Sequence, residues 1–405
     1  MRLLHTADWH LGRKLYDRPR IDEHQQFLQW LLGIIKAEHI DGIMVAGDVF
    51  DSSIPAAQVV DLYYQFLFQL YQETQAFAVI IAGNHDSATR LAAPRQFLKL
   101  ARIHLVGSLP AEPVQYGFTI QQGAENVAII ALPYIPEGEI LTHVSFETDI
   151  ESARRYRAMI QMLYQKALRT LPEAVPKILM GHYFLAGSQL GESERPIQVG
   201  GSLPVTLEDL PPDVSYIALG HLHRPQSIKN HSCPVVYAGS PIPMTFKEAE
   251  YEKKVVIIDL LPDKSTQISE IVIPTFRSLV RVKGGFEDIL NRAETEDWDG
   301  KLIEVLIELE APQIGLSDQI RRAFAERGGE VASVQAQLIS PPEEEILTPE
   351  DITTQSPEDI FKHFYLERYG QPEDKTTQAR FESIQNTFND LIQLWQRRQL
   401  EEIEP

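Results

Sequence analysis

Five short apolar runs in this chain each end abruptly in a polar cluster. Run 2–4 leads into Asp8-Trp9-His10, run 43–46 into Gly47-Asp48, and run 79–82 into Gly83-Asn84-His85-Asp86. Run 178–180 leads into Gly181-His182, and run 217–219 into Gly220-His221-Leu222-His223. Short continuous apolar runs of this kind predict buried strands, and Gly permits a tight exit from most of them. Between the runs the period changes to that of helices. Phe27, Leu28, Leu31, Leu32 and Ile35 mark one face of a helix over 21–39, and Pro55 signals the start of a second over 56–73. A third is predicted over 88–101, interrupted at Pro94, and a fourth over 151–170. Further strands are predicted at 127–132, around Tyr237 and at 255–260, with long loops at 185–204 and 224–235.

The pattern changes again near residue 276. Strand, helix, strand, helix and strand follow at 279–282, 286–295, 301–310, 317–327 and 332–338. In the middle strand Ile303, Val305, Ile307 and Leu309 alternate with Glu304 and Glu308, which predicts a sheet covered on one face. This small α/β unit carries no ligand-like cluster, so its expected role is that of a cap shaping access to a site. A stiff acidic linker, Pro341-Pro342-Glu343-Glu344-Glu345, then precedes two amphipathic helices. Ser356-Pro357-Glu358-Asp359 supplies an N-cap, a Pro at N1 and first-turn acids for the first of them. The second, over 376–399, carries Phe381, Ile384, Phe388, Leu391, Ile392 and Trp395 along one side. Three units are therefore expected, at 1–275, 276–340 and 341–405.

Composition narrows the setting. A chain of 405 residues exceeds the size at which a single core stops growing. No apolar stretch reaches the ~18 residues of a membrane span. The start of the chain runs straight into a strand and lacks a signal peptide's charged and apolar regions. One cysteine, Cys233, allows no internal disulfide, which fits a reducing compartment and a cytoplasmic location. The net charge of −20 argues against tight phosphate binding, but 15 acidic and only 6 basic residues lie in 341–405. Arg13, Lys14, Arg18 and Arg20 cluster directly after Asp8-Trp9-His10. They read either as a solvated loop or as a grip on substrate phosphates.

The polar clusters have a chemistry in common. Asp and Asn oxygens with His nitrogens suit Mn²⁺, Fe²⁺ or Zn²⁺ better than Mg²⁺ or Ca²⁺. Seven such ligands are more than one ion needs, and a carboxylate can bridge two. Two ions ~3.5–4 Å apart can hold a phosphate and lower the pKa of a water from 15.7 towards ~7. An additional imidazole beside them can protonate a departing oxygen. His5, His24, His39, His104, His143, His231 and His363 lie outside the clusters and read as surface or satisfied side chains.

In this order the clusters resemble the calcineurin-like metallophosphoesterases, whose pattern is DxH, GD, GNHD or GNHE, GH and GHxH. The resemblance covers residues 1 to about 260. It implies an α/β fold, a metallophosphoesterase β-sandwich flanked by helices, here with a small α/β cap and a C-terminal helical tail. It further implies that Asp8, His10, Asp48 and His223 bind one metal, and that Asp48, Asn84, His182 and His221 bind the other. His85 would be the catalytic imidazole and Asp86 would orient it. A narrower resemblance, to the SbcD family of bacterial nuclease subunits, rests on the segments around Ser193-Glu194-Arg195-Pro196, Val199-Gly200-Gly201-Ser202, 216–226, 237–241 and Phe246-Lys247-Glu248-Ala249. It implies a Mn²⁺-dependent 3′→5′ double-strand exonuclease and single-strand or hairpin endonuclease, acting on DNA in repair and recombination. It also implies an SbcC-type coiled-coil ATPase partner docked on the C-terminal helices, since this chain has no P-loop of its own. Leu62, Tyr63, Tyr64, Phe66, Leu67, Phe68, Leu70 and Tyr71 are more apolar residues than one buried stripe needs, and family members dimerise through helices in this region. Archaeal and eukaryotic relatives carry a second active-site His where this chain has Asp51, so no role is assigned to that residue. Two alternatives stay open: a general two-metal phosphodiesterase or phosphatase, and a non-catalytic scaffold of the same fold.

Overall fold

The structure is a computed structural model. It describes residues 1–136, 149–189, 205–309, 313 and 315–338, and in the tail 360–362, 364–366, 377–378, 381–385, 387–389 and 391–392. The loop with Ser193 to Ser202, the linker from Pro341 and the Ser356-Pro357 helix start lie outside the described residues.

Strands β1 (Arg2–Thr6), β2 (Gly42–Ala46), β3 (Phe77–Ile81), β4 (Ile103–Val106), β5 (Gly117–Gln122) and β6 (Glu125–Ala131) come first. They are followed by β7 (Lys177–His182), β8 (Tyr216–Gly220), β9 (Gln226–Ile228), β10 (Val235–Tyr237), β11 (Lys254–Leu260) and β12 (Thr266–Val272). Helices α1 (Ile21–Ala37), α2 (Ala57–Glu73), α3 (Ala88–Ala92), α4 (Arg95–Leu100) and α5 (Asp149–Leu168) lie between them. Two six-stranded sheets result, in the orders β12-β11-β1-β2-β3-β4 and β9-β10-β8-β7-β6-β5. The central strands β1 to β4 run parallel in one sheet, as do β6, β7, β8 and β10 in the other.

Alternation along the strands explains the layers. Leu3, Met44, Ala46, Phe77, Val79 and Ile81 join Val127, Ile129, Leu179 and Ile217 in the core that both sheets share. The residues between them, Leu4, Ile43, Val45, Ala78 and Ile80, pack with Phe27, Leu31, Tyr63, Phe66 and Leu70 of α1 and α2. Successive side chains of a strand point to opposite faces, so a strand buried on both must be apolar at every position. On the other sheet α5 buries Met159, Ile160, Leu163, Tyr164 and Ala167.

The sequence reading missed several elements. β4 and β5 were not predicted, and β9 occupies part of the stretch read as a loop over 224–235. β12 pairs along the whole of β11, yet its side chains are mostly exposed and its alternation is weak. Backbone pairing holds such an edge strand, and backbone pairing leaves no mark in hydropathy. Pro94 divides the third helix into α3 and α4, where the break was expected.

After residue 275 the strands β13 (Leu279–Gly284), β14 (Leu302–Leu309) and β15 (Glu330–Leu338) form a parallel sheet with β14 in the middle. Helices α6 (Phe286–Thr295) and α7 (Leu316–Ala325) cover one face, burying Ile289, Ala293, Ile320 and Phe324 against Val282, Ile303, Val305 and Ile307. The other face exposes Arg281, Lys283, Gln335 and Gln337, as the alternation predicted, but is covered at its Leu302–Glu304 end. Leu302 packs with Leu15 and Phe246, and Glu304 is 3% exposed, taking hydrogen bonds from Tyr16 Oη at 2.7 Å and Arg281 Nε at 2.6 Å. A charge at a strand position ordinarily signals solvent; here it signals two specific donors. In the tail, Phe361 stacks on Phe388 and Tyr365 tilts against Phe381, with ring centroids 4.3 and 4.9 Å apart.

Candidate metal centre

The parallel strands of both sheets end at one rim, the crevice in which open α/β sheets bind ligands. The spacing of the clusters follows from how each is anchored. Trp9 is fully buried against Phe27 and Phe66 and donates from Nε1 to Thr6 Oγ1 at 3.0 Å, which turns Asp8 and His10 on either side of it to the rim. Leu222, buried in the shared core, does the same for His221 and His223. The turn is tight. Asp8, His10, Asp48 and His221 all have positive φ, at 51°, 44°, 49° and 98°. Strain of that kind costs on the order of 1–2 kcal/mol per residue and gathers where function over-determines the backbone. Glycine makes the approach of the two sheets possible: a Cβ on Gly220 would sit 1.9 Å from the Ala46 carbonyl oxygen, and one on Gly47 2.2 Å from His182 Nδ1.

Seven expected ligands converge here. His10 Nε2 lies 3.1 Å from His223 Nε2 and 3.5 Å from Asp48 Oδ2. His182 Nε2 lies 3.4 Å from the same Asp48 oxygen and 3.0 Å from Asn84 Oδ1, which is 3.1 Å from His221 Nδ1. Donors ~2.0–2.2 Å from one ion and at right angles to each other are about 3 Å apart, so these separations fit shared cations. The groups Asp8, His10, His223 and Asp8, Asp48, His182 each bring their ligand atoms within 4.8 Å of one another. Asp8, His10, Asp48, His182, His221 and His223 are buried, and Asn84 alone of the set is exposed.

Hydrogen bonds on the far side of the rings fix which nitrogen faces the rim. His182 Nδ1 donates to the Ala46 carbonyl at 2.8 Å, and a carbonyl only accepts, so once the ring is neutral its lone pair is on Nε2. Burial pushes His182 down, but the Asp48 and Asp8 carboxylates outweigh it and carry the ring up to about 9. Burial raises Asp48, and the same His182 together with His10 and His85 more than reverses this, holding its carboxyl well below the usual range. His221, buried and next to His182, is pushed down to about 3. Positive charge is thus already matched to carboxylate in this cluster, and binding a cation there displaces protons.

His85 is at the site, but Asp86 does not orient it. The Asp86 carboxylate takes the backbone N–H groups of Gly83, Phe50 and Val49 at 2.9, 2.9 and 3.1 Å, clamping two of the polar turns to each other. Burial and the adjacent Asp48 push it up to about 6. What holds the His85 ring is the carbonyl of Asp51, 3.1 Å from Nδ1. The Asp51 carboxylate lies 3.3 Å from His10 Nδ1 and accepts from Arg13 at 3.2 Å. Two residues escape sequence reasoning: Asp51, which is assigned no role there, and Glu248, which belongs to a segment noted only for its likeness. Glu248 Oε1 faces His223 Nδ1 at 3.5 Å. No motif spacing pointed to it, because it approaches from a turn outside the strand ends.

The expected phosphate grip does not hold together. Arg20 is 1% exposed and forked onto Glu23, with a further bond to the Pro243 carbonyl; it ties α1 to a neighbouring loop and cannot reach a substrate. Arg18 pairs with Glu330 of β15, and Arg13 with Asp51. Lys14 is exposed. Lys14 and Arg18 sit on a two-residue hairpin, 14–15 with 18–19, with Arg13 and Arg20 flanking it; its turn residues Tyr16 and Asp17 have positive φ, and such a hairpin fans its side chains to different sides.

Residues 1–225 match the model of the calcineurin-like phosphoesterase family, and residues 275–369 match one described as the type 5 capsule protein repressor C-terminal domain. The D subunit of nuclease SbcCD from Bacillus subtilis (strain 168) is 38% identical over 284 residues, covering 70% of this chain and 72% of that protein. Its counterpart from Escherichia coli (strain K12), the D subunit of nuclease SbcCD, is 32% identical over 303 residues, covering 74% of each. A dimetal phosphatase from Danio rerio aligns over 67% of this chain and 98% of its own at 11% identity, with a TM-score of 0.38, too slight a likeness to argue from.

Proposed function

This chain belongs to the calcineurin-like phosphoesterase family and, within it, to the SbcD nuclease subunits, and on that footing we propose that it is the metal-dependent nuclease of an SbcC–SbcD complex. It hydrolyses phosphodiesters of DNA, as a 3′→5′ exonuclease on duplex ends and an endonuclease on single strands and hairpins, in DNA repair and recombination. The observation that carries the two-ion form of this reading is Asp48. One of its oxygens lies 3.5 Å from His10 Nε2 and 3.4 Å from His182 Nε2, so a single carboxylate serves two imidazole sets. Asp8, His10, Asp48 and His223 would hold one ion and Asp48, Asn84, His182 and His221 the other. Mn²⁺ suits this mixture of oxygen and imidazole donors. Divalent ions there supply Lewis acidity to the phosphate and acidify a water.

The chain's own residues do the rest. His85 donates its Nδ1–H to the Asp51 carbonyl, which turns Nε2 to the rim, and in its doubly protonated form the ring would deliver the Nε2 proton to the departing oxygen. Asp86 holds the two turns that carry Asp48 and His85 in register. Lys14 is the member of the basic hairpin left to meet a phosphate. An SbcC-type ATPase would dock on the C-terminal helices and bring much of the grip on DNA, and a second copy of this chain would pair through α2.

End-labelled linear duplex, Mn²⁺ and the purified chain, with and without its ATPase partner, test the reading. DNA loss is expected in the wild type, with a drop of roughly 10²–10⁴-fold in His85→Ala. Hydrolysis of small phosphodiesters with intact DNA under both conditions would point instead to a general phosphodiesterase.

A further inference from the structure

Glu248 is 1% exposed and sits in a one-turn 3₁₀ segment that sequence spacing gives no reason to connect with the rim. Its Oε2 takes Lys253 Nζ at 2.7 Å, the Met244 N–H at 3.1 Å and Ser240 Oγ at 3.4 Å. Its Oε1 faces His223 Nδ1 at 3.5 Å. Lys253, itself 5% exposed, reaches back to the other end of the same residue, donating to the His223 carbonyl at 3.1 Å and to Ser240 Oγ at 2.8 Å. The Ser240 N–H also donates to that carbonyl, at 3.1 Å. A closed ring therefore runs from the His223 ring through Glu248 and Lys253 to the His223 backbone.

A buried Lys–Glu pair contributes little as stabilisation, since desolvation offsets its attraction and apolar residues of like volume often do as well. Its geometry gives it a different use. An ionised carboxylate only accepts, so His223 must carry its proton on Nδ1, leaving the Nε2 lone pair turned towards His10 Nε2, 3.1 Å away. We propose that Glu248, clamped by Lys253, is the positioning residue for His223 and so sets the affinity of one of the two metal positions while leaving the other alone. The selectivity follows from the grouping of ligands: His223 shares its position with Asp8 and His10, whereas His182 takes its support from the Ala46 carbonyl on the opposite sheet. The inference rests on the two-ion reading above.

The test is Mn²⁺ titration of the metal-free full-length chain, read by calorimetry and by the paramagnetic resonance of bound Mn²⁺. Wild type is expected to take up two ions. Glu248→Gln should keep one at wild-type affinity and bind the second roughly 10–100-fold more weakly, the usual cost of losing such an outer partner. At one equivalent its spectrum should show an isolated ion, with coupling between two ions returning only at high Mn²⁺. Two ions bound by Glu248→Gln at wild-type affinity would overturn the inference; failure of the wild type to bind two would overturn the two-ion reading itself. Because Glu248→Gln strands the Lys253 charge, the double variant Glu248→Gln/Lys253→Met is titrated beside it. Selective loss must persist there, and recovery of both ions would assign the effect to the stranded charge and overturn the proposal. A measurement on unsubstituted protein stands apart from folding: imidazole nitrogen resonances of the ¹⁵N-histidine-labelled, metal-free chain should place the His223 proton on Nδ1, and a proton on Nε2 would overturn it.

Discussion

Single residues carry two kinds of information here, and only one is visible in sequence. Asp8, His10, Asp48, Asn84, His182, His221 and His223 were identifiable because each stands at a strand end beside an apolar anchor. The outer partners Asp51 and Glu248 were not, because nothing in residue type or spacing separates a carboxylate that aims a ring from one that faces water. The histidines outside the clusters divide in the same way. His5 is fully buried, with Nδ1 3.0 Å from Tyr216 Oη, and His24 is fully buried on α1. Burial pushes both down to about 3, helped at His24 by the Arg20 charge. Above pH 6.5 neither folded nor unfolded chain protonates these rings, and no dependence arises. Between pH 6.5 and about 3 only the unfolded chain takes up the protons, so stability must fall with pH, by about 1.4 kcal/mol per unit for each ring. Denaturant unfolding of the metal-free protein at pH 7.5 and 5.5 should register that loss, and His24→Leu should reduce it by up to half. Equal slopes in the two proteins would mean that His24 protonates in the folded state.

Elements were legible where hydrophobicity repeats and silent at the sheet edges, where β12 is held by pairing with little burial and β4 buries Ile103, Leu105 and Val106 in a run of only four residues. Every strand leading to the rim appeared in the sequence, since burial on both faces requires unbroken apolar runs; the peripheral β4, β5, β9 and β12 did not. The rim depends on how closely β2 and β8 approach. Gly220→Ala places a methyl against the Ala46 carbonyl, which neither sheet can yield without moving the rim residues Asp48 and His221. A loss of at least 1–3 kcal/mol in stability is expected, with Mn²⁺ binding lost or weakened; wild-type affinity would show that the sheets tolerate separation. Helix α2 turns Val59, Tyr63, Phe66, Leu67 and Leu70 inwards yet leaves Phe68 58% and Tyr71 46% exposed. Phe66 belongs to the core, so the informative change is on the outer face. Phe68→Glu should halve the mass seen by light scattering without altering the melting of the monomer, and an unchanged mass would exclude pairing through this helix.

At the scale of the molecule, the small α/β unit meets the two-sheet part through the residues that follow Asp8 and His10. Tyr16 and Leu15, just beyond His10, meet Glu304 and Leu302, while Phe246 of the Glu248 segment packs in the same place. Hydropathy alone separated these units but could not show that the outer face of β14 is their junction, because Glu304 disguises it. The C-terminal helices carry their aromatic residues against each other, and removing 341–405 should leave Mn²⁺-dependent cleavage by the chain alone intact while abolishing co-elution with the SbcC-type partner. Retained co-elution would move the docking surface elsewhere.

The position of β1 has a consequence in time. It lies between β2 and β11, so it is made long before one of its two neighbours, Lys254–Leu260. Asp8 waits likewise for the His221 N–H, 213 residues downstream. At roughly 5–20 residues per second that interval is on the order of 10–40 s on the ribosome, during which the nascent chain holds half a rim and no cutting site. A nuclease assembled this way is harmless until residues 221–223 have been made and folded onto the rim.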